Sequence, residues 1–161
     1  MKVVVVSDTH KNFSGLKEIV ESNSDAELFI HLGDGWYEFS DVMNLFPGKQ
    51  FVYVRGNCDY GSFEAGEELV VPLGGFKAFV THGHRYNVNT DTEPLVARAK
   101  SKGCEIALYG HTHIYKTEVR DGVYVMNPGS IETPRGRNSA SYGVIEIDGQ
   151  GKIEMKIVAF E

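Results

Sequence analysis

Positive charge is what this chain most lacks. Its 161 residues carry 16 Lys and Arg against 22 Asp and Glu, a formal net charge of -6. A broad basic face able to release counterions from a nucleic-acid backbone has too few cations to form, so no long nucleic acid is expected as a partner. Long apolar runs are missing too. The run near the start is Val3 to Val6, far short of the roughly 20 residues of a membrane span or the roughly 7 to 15 of a secretory signal core. No membrane attachment is expected. Cysteine is scarce, with only Cys58 and Cys104. That excludes a disulfide framework and makes a reducing compartment, the cytoplasm, the expected setting. No repeat, linker or low-complexity stretch breaks the chain, and one domain spanning 1–161 is expected.

What is present is a globular balance, 42% apolar and 24% charged, which argues against disorder. Short β-rich runs each stop at a polar cluster: VVVV before SDTH, LFIHL before GDG, FVYVR before GNCD, FKAFV before THGH, EIALY before GHTH and VYVMN before PGS. Unbroken runs of this kind predict strands covered on both faces. Leu16, Ile19 and Val20 predict a helix from near Asn12 or Ser14 to near Asn23. A second helix is predicted from a Thr90–Glu93 capping box, Pro94 in the first turn, apolar Leu95, Val96 and Ala99, and Gly103 as the stop. Later, Arg120-Asp121-Gly122 and Asp148-Gly149-Gln150-Gly151 read as hairpin turns, so the chain should finish in antiparallel β.

In α/β sheets, functional side chains gather beyond the carboxyl ends of the strands. If the predicted strands are neighbours, Asp8, His10, Asp34, Asn57, His82, His111 and His113 converge on one place. Carboxylates crowded there would repel one another and the imidazoles would lack partners, whereas divalent cations satisfy both. Oxygen and imidazole donors suit manganese, iron, cobalt, nickel or zinc. Two such ions about 3.5 to 4 Å apart form a device for displacement at phosphorus.

The order D-x-H, G-D, G-N-x-D, H-G-H, G-H-x-H, each after a hydrophobic run, resembles the calcineurin-like metallophosphoesterase superfamily. The short length, GNCD, NPGS and PRGR are similar to its small bacterial and archaeal phosphodiesterases. The resemblance covers Val3 to about Ser141. It implies an α/β fold, a four-layer α/β/β/α sandwich with two mixed β-sheets flanked by helices. It implies two divalent metal ions, manganese first among them: Asp8, His10 and His113 on one, Asn57, His82 and His111 on the other, and Asp34 bridging, with a bridging hydroxide as nucleophile. A small phosphodiester is the implied substrate. The candidate catalytic residues are Asp34, Asn57, Cys58, Asp59 and His84.

One position departs from the pattern. Where most members carry His, thought to assist the leaving group, this chain has Cys58. A thiol is a weak donor with an ordinary pKa of about 8.5, so good leaving groups should be handled best. His84 is a candidate replacement acid or a partner of a ligand, and Cys58 is alternatively a small packing residue. Asp59 reads as an orienting residue, while His31 and Cys104 read as core. Arg135 and Arg137 either meet the phosphate or form a solvated loop. Trp36 and Tyr37, placed on a loop after Asp34, either line a substrate pocket or cover the core. Two rival functions stay open, namely a non-catalytic scaffold like the similar subunit of the eukaryotic retromer coat, and a phosphomonoesterase or nuclease on the same centre. A homo-oligomer would fit the late edge strands.

Overall fold

The four valines form β1 (Lys2–Val6), the middle strand of a five-stranded sheet. The structure is a computed structural model in which residues 1–61 and 64–161 are described. Successive side chains on a strand point to opposite faces, and both faces of β1 are covered. Val3 and Val5 meet the second sheet, and Val4 and Val6 meet helices. Burial of each contributes on the order of 1.5 kcal/mol.

The chain continues through α1 (Phe13–Ser22), β2 (Leu28–His31), α2 (Trp36–Leu45) and β3 (Gln50–Tyr53), and then builds the second sheet. That sheet uses β4 (Glu68–Leu73), β5 (Phe76–Thr81), β6 (Ile106–Leu108), β7 (Lys116–Arg120) and β8 (Val123–Asn127), with α3 (Glu93–Ser101) between β5 and β6. Finally β9 (Ser141–Ile147) and β10 (Ile153–Ala159) return to the first sheet. The orders are β10-β9-β1-β2-β3 and β4-β5-β6-β8-β7. Each sheet mixes parallel and antiparallel pairs. Three apolar clusters define four layers. Val3, Val5, Leu73 and Ile106 lie between the sheets; Val4, Phe29, Leu16 and Phe39 pack α1 and α2 on one side; Phe79, Val125, Leu95 and Val96 pack α3 on the other. This is the α/β/β/α sandwich the resemblance implies. Among the described residues no helix is long and apolar enough to cross a membrane.

Several local expectations meet their physical counterparts. Asn12 caps α1, its side chain accepting from the Gly15 N–H at 2.8 Å. Both predicted turns join antiparallel pairs, β7 to β8 and β9 to β10. Three expectations need correction. The capping box on α3 does not form: the hydroxyl of Thr90 faces Asn87, and the cap position belongs to Thr92, whose hydroxyl donates to Glu118 instead. Trp36 and Tyr37 are not on a loop but open α2. The antiparallel finish is also incomplete, because β8 runs parallel to β6 and the antiparallel edge strand β4 comes early.

Candidate metal centre

The polar clusters all follow strands that run the same way within their sheet. The segments after β1, β2 and β3 carry Asp8 and His10, Asp34, and Asn57. Those after β5 and β6 carry His82, and His111 and His113. The segment after β8 also arrives, where Ser130 Oγ donates to the Asp8 carbonyl at 2.7 Å. Backbone conformation is unusual here. Asp8, His10, Lys11, Asp34, His111 and His113 all have φ between 41° and 73°, a region that costs non-glycine residues of order 1 kcal/mol each and concentrates at functional sites. The neighbouring glycines leave room for the ligand side chains. A Cβ on Gly56 would lie 2.1 Å from Asp34 Oδ1, and one on Gly110 1.9 Å from Ser7 Oγ.

Asp8 is wholly buried, and its two oxygens are treated differently. Oδ2 accepts from Ser7 Oγ at 2.5 Å and from the His111 N–H at 3.0 Å. Among the described residues Oδ1 has no hydrogen-bond partner, and it faces imidazole nitrogens: His113 Nε2 at 3.1 Å, His10 Nε2 at 3.9 Å and His82 Nε2 at 3.9 Å. His113 Nδ1 donates to the Thr133 carbonyl at 2.7 Å, and His82 Nδ1 donates to the Leu32 carbonyl at 2.6 Å. Each neutral ring then presents a lone pair on Nε2. His82 Nε2 lies 3.3 Å from Asp34 Oδ2 and 3.0 Å from Asn57 Oδ1, and His10 Nε2 lies 3.3 Å from His113 Nε2. Acceptors facing acceptors in a buried site repel unless positive charge sits among them.

The titration directions agree. Burial alone would raise the Asp8 and Asp34 carboxyls, yet the His113 and His82 rings beside Asp8 and His82 beside Asp34 hold both below the ordinary value. Burial alone would depress His82 and His113, yet Asp34 and Asp8 raise His82, and Asp8 raises His113. The cluster therefore draws positive charge toward itself, which a bound metal ion would supply. Among the described residues two groups of three meet the geometry for one, Asp8 with His10 and His113, and Asp8 with Asp34 and His82. Asp8 is common to both. Asn57 and His111 adjoin the second group, with His111 Nδ1 3.0 Å from Asn57 Oδ1.

Asp59 is half-buried and organises the segment that presents Asp34. Its Oδ2 accepts from the N–H groups of Asp34 at 2.8 Å and Gly56 at 2.7 Å, and from Tyr53 Oη at 2.5 Å. Its Oδ1 accepts from the N–H groups of Gly35 at 3.0 Å and Trp36 at 3.1 Å, which caps α2 with a negative charge. Cys58 is exposed, which overturns its reading as a packing residue. Its N–H donates to Asp34 Oδ1 at 2.7 Å, and burial together with the Asp34 charge pushes the thiol up to about 11. His84 is half-buried beside His82 and His111, with ring centroids at 5.4 and 6.2 Å. His31 is fully buried, accepts from the Gly33 N–H and meets the Thr9 hydroxyl, which donates to Glu38. Burial takes its pKa down to about 4. Arg135 reaches the site's edge through its backbone, whose N–H donates to the His113 carbonyl, and its side chain is exposed like that of Arg137.

A cleft of about 380 Å³ opens beside these groups, lined by His10, Lys11, Asp34, Trp36, Cys58 and Tyr60 among others. Ser7, Ser130, Thr133, Tyr53 and Asn127 carry no motif signal in the sequence, yet each supports the site. The first three hold Asp8 and His113. Tyr53 accepts from the Gly35 N–H while donating to Asp59, and Asn127 fixes the Gly110 carbonyl and the Thr112 hydroxyl.

The family profile of the calcineurin-like phosphoesterase superfamily domain matches residues 1–150. The chain is 33% identical over 151 residues to the probable metallophosphoesterase YsnB of Bacillus subtilis, covering 92% of this chain and 85% of that one. It is 28% identical over 179 residues to the phosphodiesterase YfcE of Escherichia coli K12, covering 92% and 89%. Among solved structures, a Streptococcus pneumoniae TIGR4 protein described as a predicted phosphoesterase superposes with a TM-score of 0.85 at 27% identity, covering 98% of this chain and 88% of that one. The profile spans the strands and all the loops that carry the clustered donors, so the chain belongs to the calcineurin-like phosphoesterase superfamily and is a phosphoesterase.

Proposed function

We propose that the chain is a phosphodiesterase that hydrolyses a small phosphodiester with the help of two divalent cations, manganese first among them. The observation that carries this reading is the unpartnered buried Oδ1 of Asp8 among imidazole lone pairs. Asp8, His10 and His113 would hold one cation and Asn57, His82 and His111 the other, with Asp34 shared and Asp8, which both candidate groups contain, beside each. Bound there, the cations supply Lewis acidity toward phosphoryl oxygens and lower the pKa of an attacking water.

The chain's own groups set the rest. Ser7, Thr133 and the Leu32 carbonyl orient the donors so that their free lone pairs face inward. Asp59 holds Asp34 by its backbone N–H, and the Cys58 N–H donates to the Asp34 carboxylate at Oδ1. With its thiol protonated, Cys58 offers the departing oxygen a weak donor, and His84, beside His82 and His111, is a second candidate for that task. A diester is favoured over a monoester by the cleft, which gives a second ester group space beside Asp34. A monoester dianion would also ask for more cationic side chains than Lys11, the one lysine or arginine in that wall among the described residues.

The purified, manganese-loaded chain is expected to hydrolyse bis(4-nitrophenyl) phosphate faster than 4-nitrophenyl phosphate. Chelation should lower the rate at least about a hundredfold, since the charge stabilisation is several kcal/mol, and manganese should restore it. Undiminished turnover after chelation would overturn the metal-dependent reading, and a faster monoester reaction would overturn the diester one.

A further inference from the structure

Beyond Asp34 the cleft runs between the first turn of α2 and the 56–61 segment, and its outer wall is aromatic. Trp36 is half-buried, edge-on to Tyr53 at 5.1 Å between centroids and tilted on Phe39 at 6.5 Å, so it forms a fixed floor. Tyr37 and Tyr60 flank the mouth and are 67% and 80% exposed. The Tyr37 hydroxyl donates to the Tyr60 carbonyl at 3.2 Å, which ties the helix to the segment across the cleft. Tyr37 and Tyr60 stand outside the core cluster, in which Phe29, Phe39, Phe51 and Tyr53 stack beneath them. Lys11 stands at the same cleft on a backbone held at φ 73°, its N–H donating to Glu38 Oε1 at 2.7 Å. The wall carboxylates of Glu38 and Asp59 are taken up by N–H groups and hydroxyls.

We infer that this cleft selects the ester group of the substrate, and that the group is a planar aromatic ring, a nucleobase or an aryl ring, laid on Trp36 and held by Tyr37 and Tyr60. Lys11 meets the negative charge of the diester. The inference rests on the phosphodiesterase reading for where the phosphorus sits, while the ring chemistry follows from the wall itself. Stacking on aromatic side chains tolerates any planar ring because each has a π face, and aliphatic groups of equal size gain less. A cleft of about 380 Å³ takes a nucleotide-sized ligand and nothing as large as a folded partner.

Trp36 is the single tryptophan of the chain, so its fluorescence reports on this wall alone. Manganese-loaded protein is titrated with adenosine 5′-monophosphate, phenyl phosphate and ribose 5-phosphate. Saturable quenching by the first two, at least about tenfold tighter than any change with the sugar phosphate, is expected from one stacked ring; the first two arms separate nucleobase from aryl. Tyr60→Ala should weaken both aromatic ligands about tenfold and raise KM for an aryl diester more than it lowers kcat. Equal binding of ribose 5-phosphate, or a Tyr60→Ala variant with unchanged aromatic affinity, would overturn the inference. Aromatic-selective quenching in a chain that hydrolyses no diester keeps the cleft and removes the reaction. Diester hydrolysis without any aromatic selectivity keeps the reaction and removes the cleft's role.

Discussion

Asp34→Asn should leave the fold intact and take hydrolysis down by roughly a thousandfold, the equivalent of losing several kcal/mol of charge stabilisation. The new amide has the same shape. Its oxygen can still accept from the Cys58 N–H, and its nitrogen would donate to the lone pair on His82 Nε2, now 3.3 Å from Asp34 Oδ2. The amide loses the charge pairing with His82 that holds the Asp34 carboxyl below its ordinary value, so the metal-free variant is expected to fold and to melt slightly below the wild-type temperature. The cations gain nothing from a neutral amide, so the stabilisation that metal gives the wild-type chain, set by the ratio of free ion to Kd, should largely vanish. Calorimetry with and without manganese, run beside an activity assay, reads both halves. A variant that is inactive because it is unfolded, or one that keeps wild-type turnover, would each contradict the role given to Asp34.

Asp59→Ala should cost about 3 kcal/mol of stability, because it removes the acceptor from five donors and several are left without a partner at roughly 1 to 3 kcal/mol each, less than additively. At about 2 to 4 °C per kcal/mol for a domain of this size, Tm should fall by roughly 6 to 12 °C. Turnover should fall as well, by about a hundredfold, because the segment carrying Asp34 loses its clamp and a small misplacement is expensive in rate. Asp59 touches no reacting group in this account and acts by position. Asp59→Asn, which keeps one acceptor oxygen, should recover part of both losses. If Asp59→Ala melts like the wild-type chain and loses activity alone, the residue has a direct chemical part that the hydrogen bonds do not explain.

What the sequence disclosed and what it hid follow one physical rule. The apolar runs and their polar ends were readable because each strand is covered on both faces and each ends at the same rim, so VVVV before SDTH states burial and exit in adjacent letters. Asn12 capping α1 was readable because donor and acceptor lie three residues apart. The start of α2 was not, since Gly35 brings no side-chain cap and the capping carboxylate, Asp59, arrives 24 residues later. The Thr90–Glu93 capping box misled for the same reason, since the cap position falls to Thr92, whose hydroxyl is claimed by Glu118 on β7. Ser130, on the segment after β8, reaches Asp8 across 122 positions, and β9 returns to lie against β1 after the whole second sheet has been built. The donors of the candidate site were legible as letters, but the groups that orient them were set by tertiary contacts that no short window contains. Cys58 stood out only by departing from the family pattern, and its exposure in the cleft was visible only in the fold.

If the clustered donors enclose two cations, the number and position of ions bound per chain show it. Metal-stripped protein, reloaded with manganese, desalted and assayed by elemental analysis, should carry two ions. Anomalous diffraction from its crystals should place one against Asp8, His10 and His113 and the other against Asn57, His82 and His111. A chain that retains no ion after loading, or holds its ions away from Asp8 and Asp34, would contradict the account.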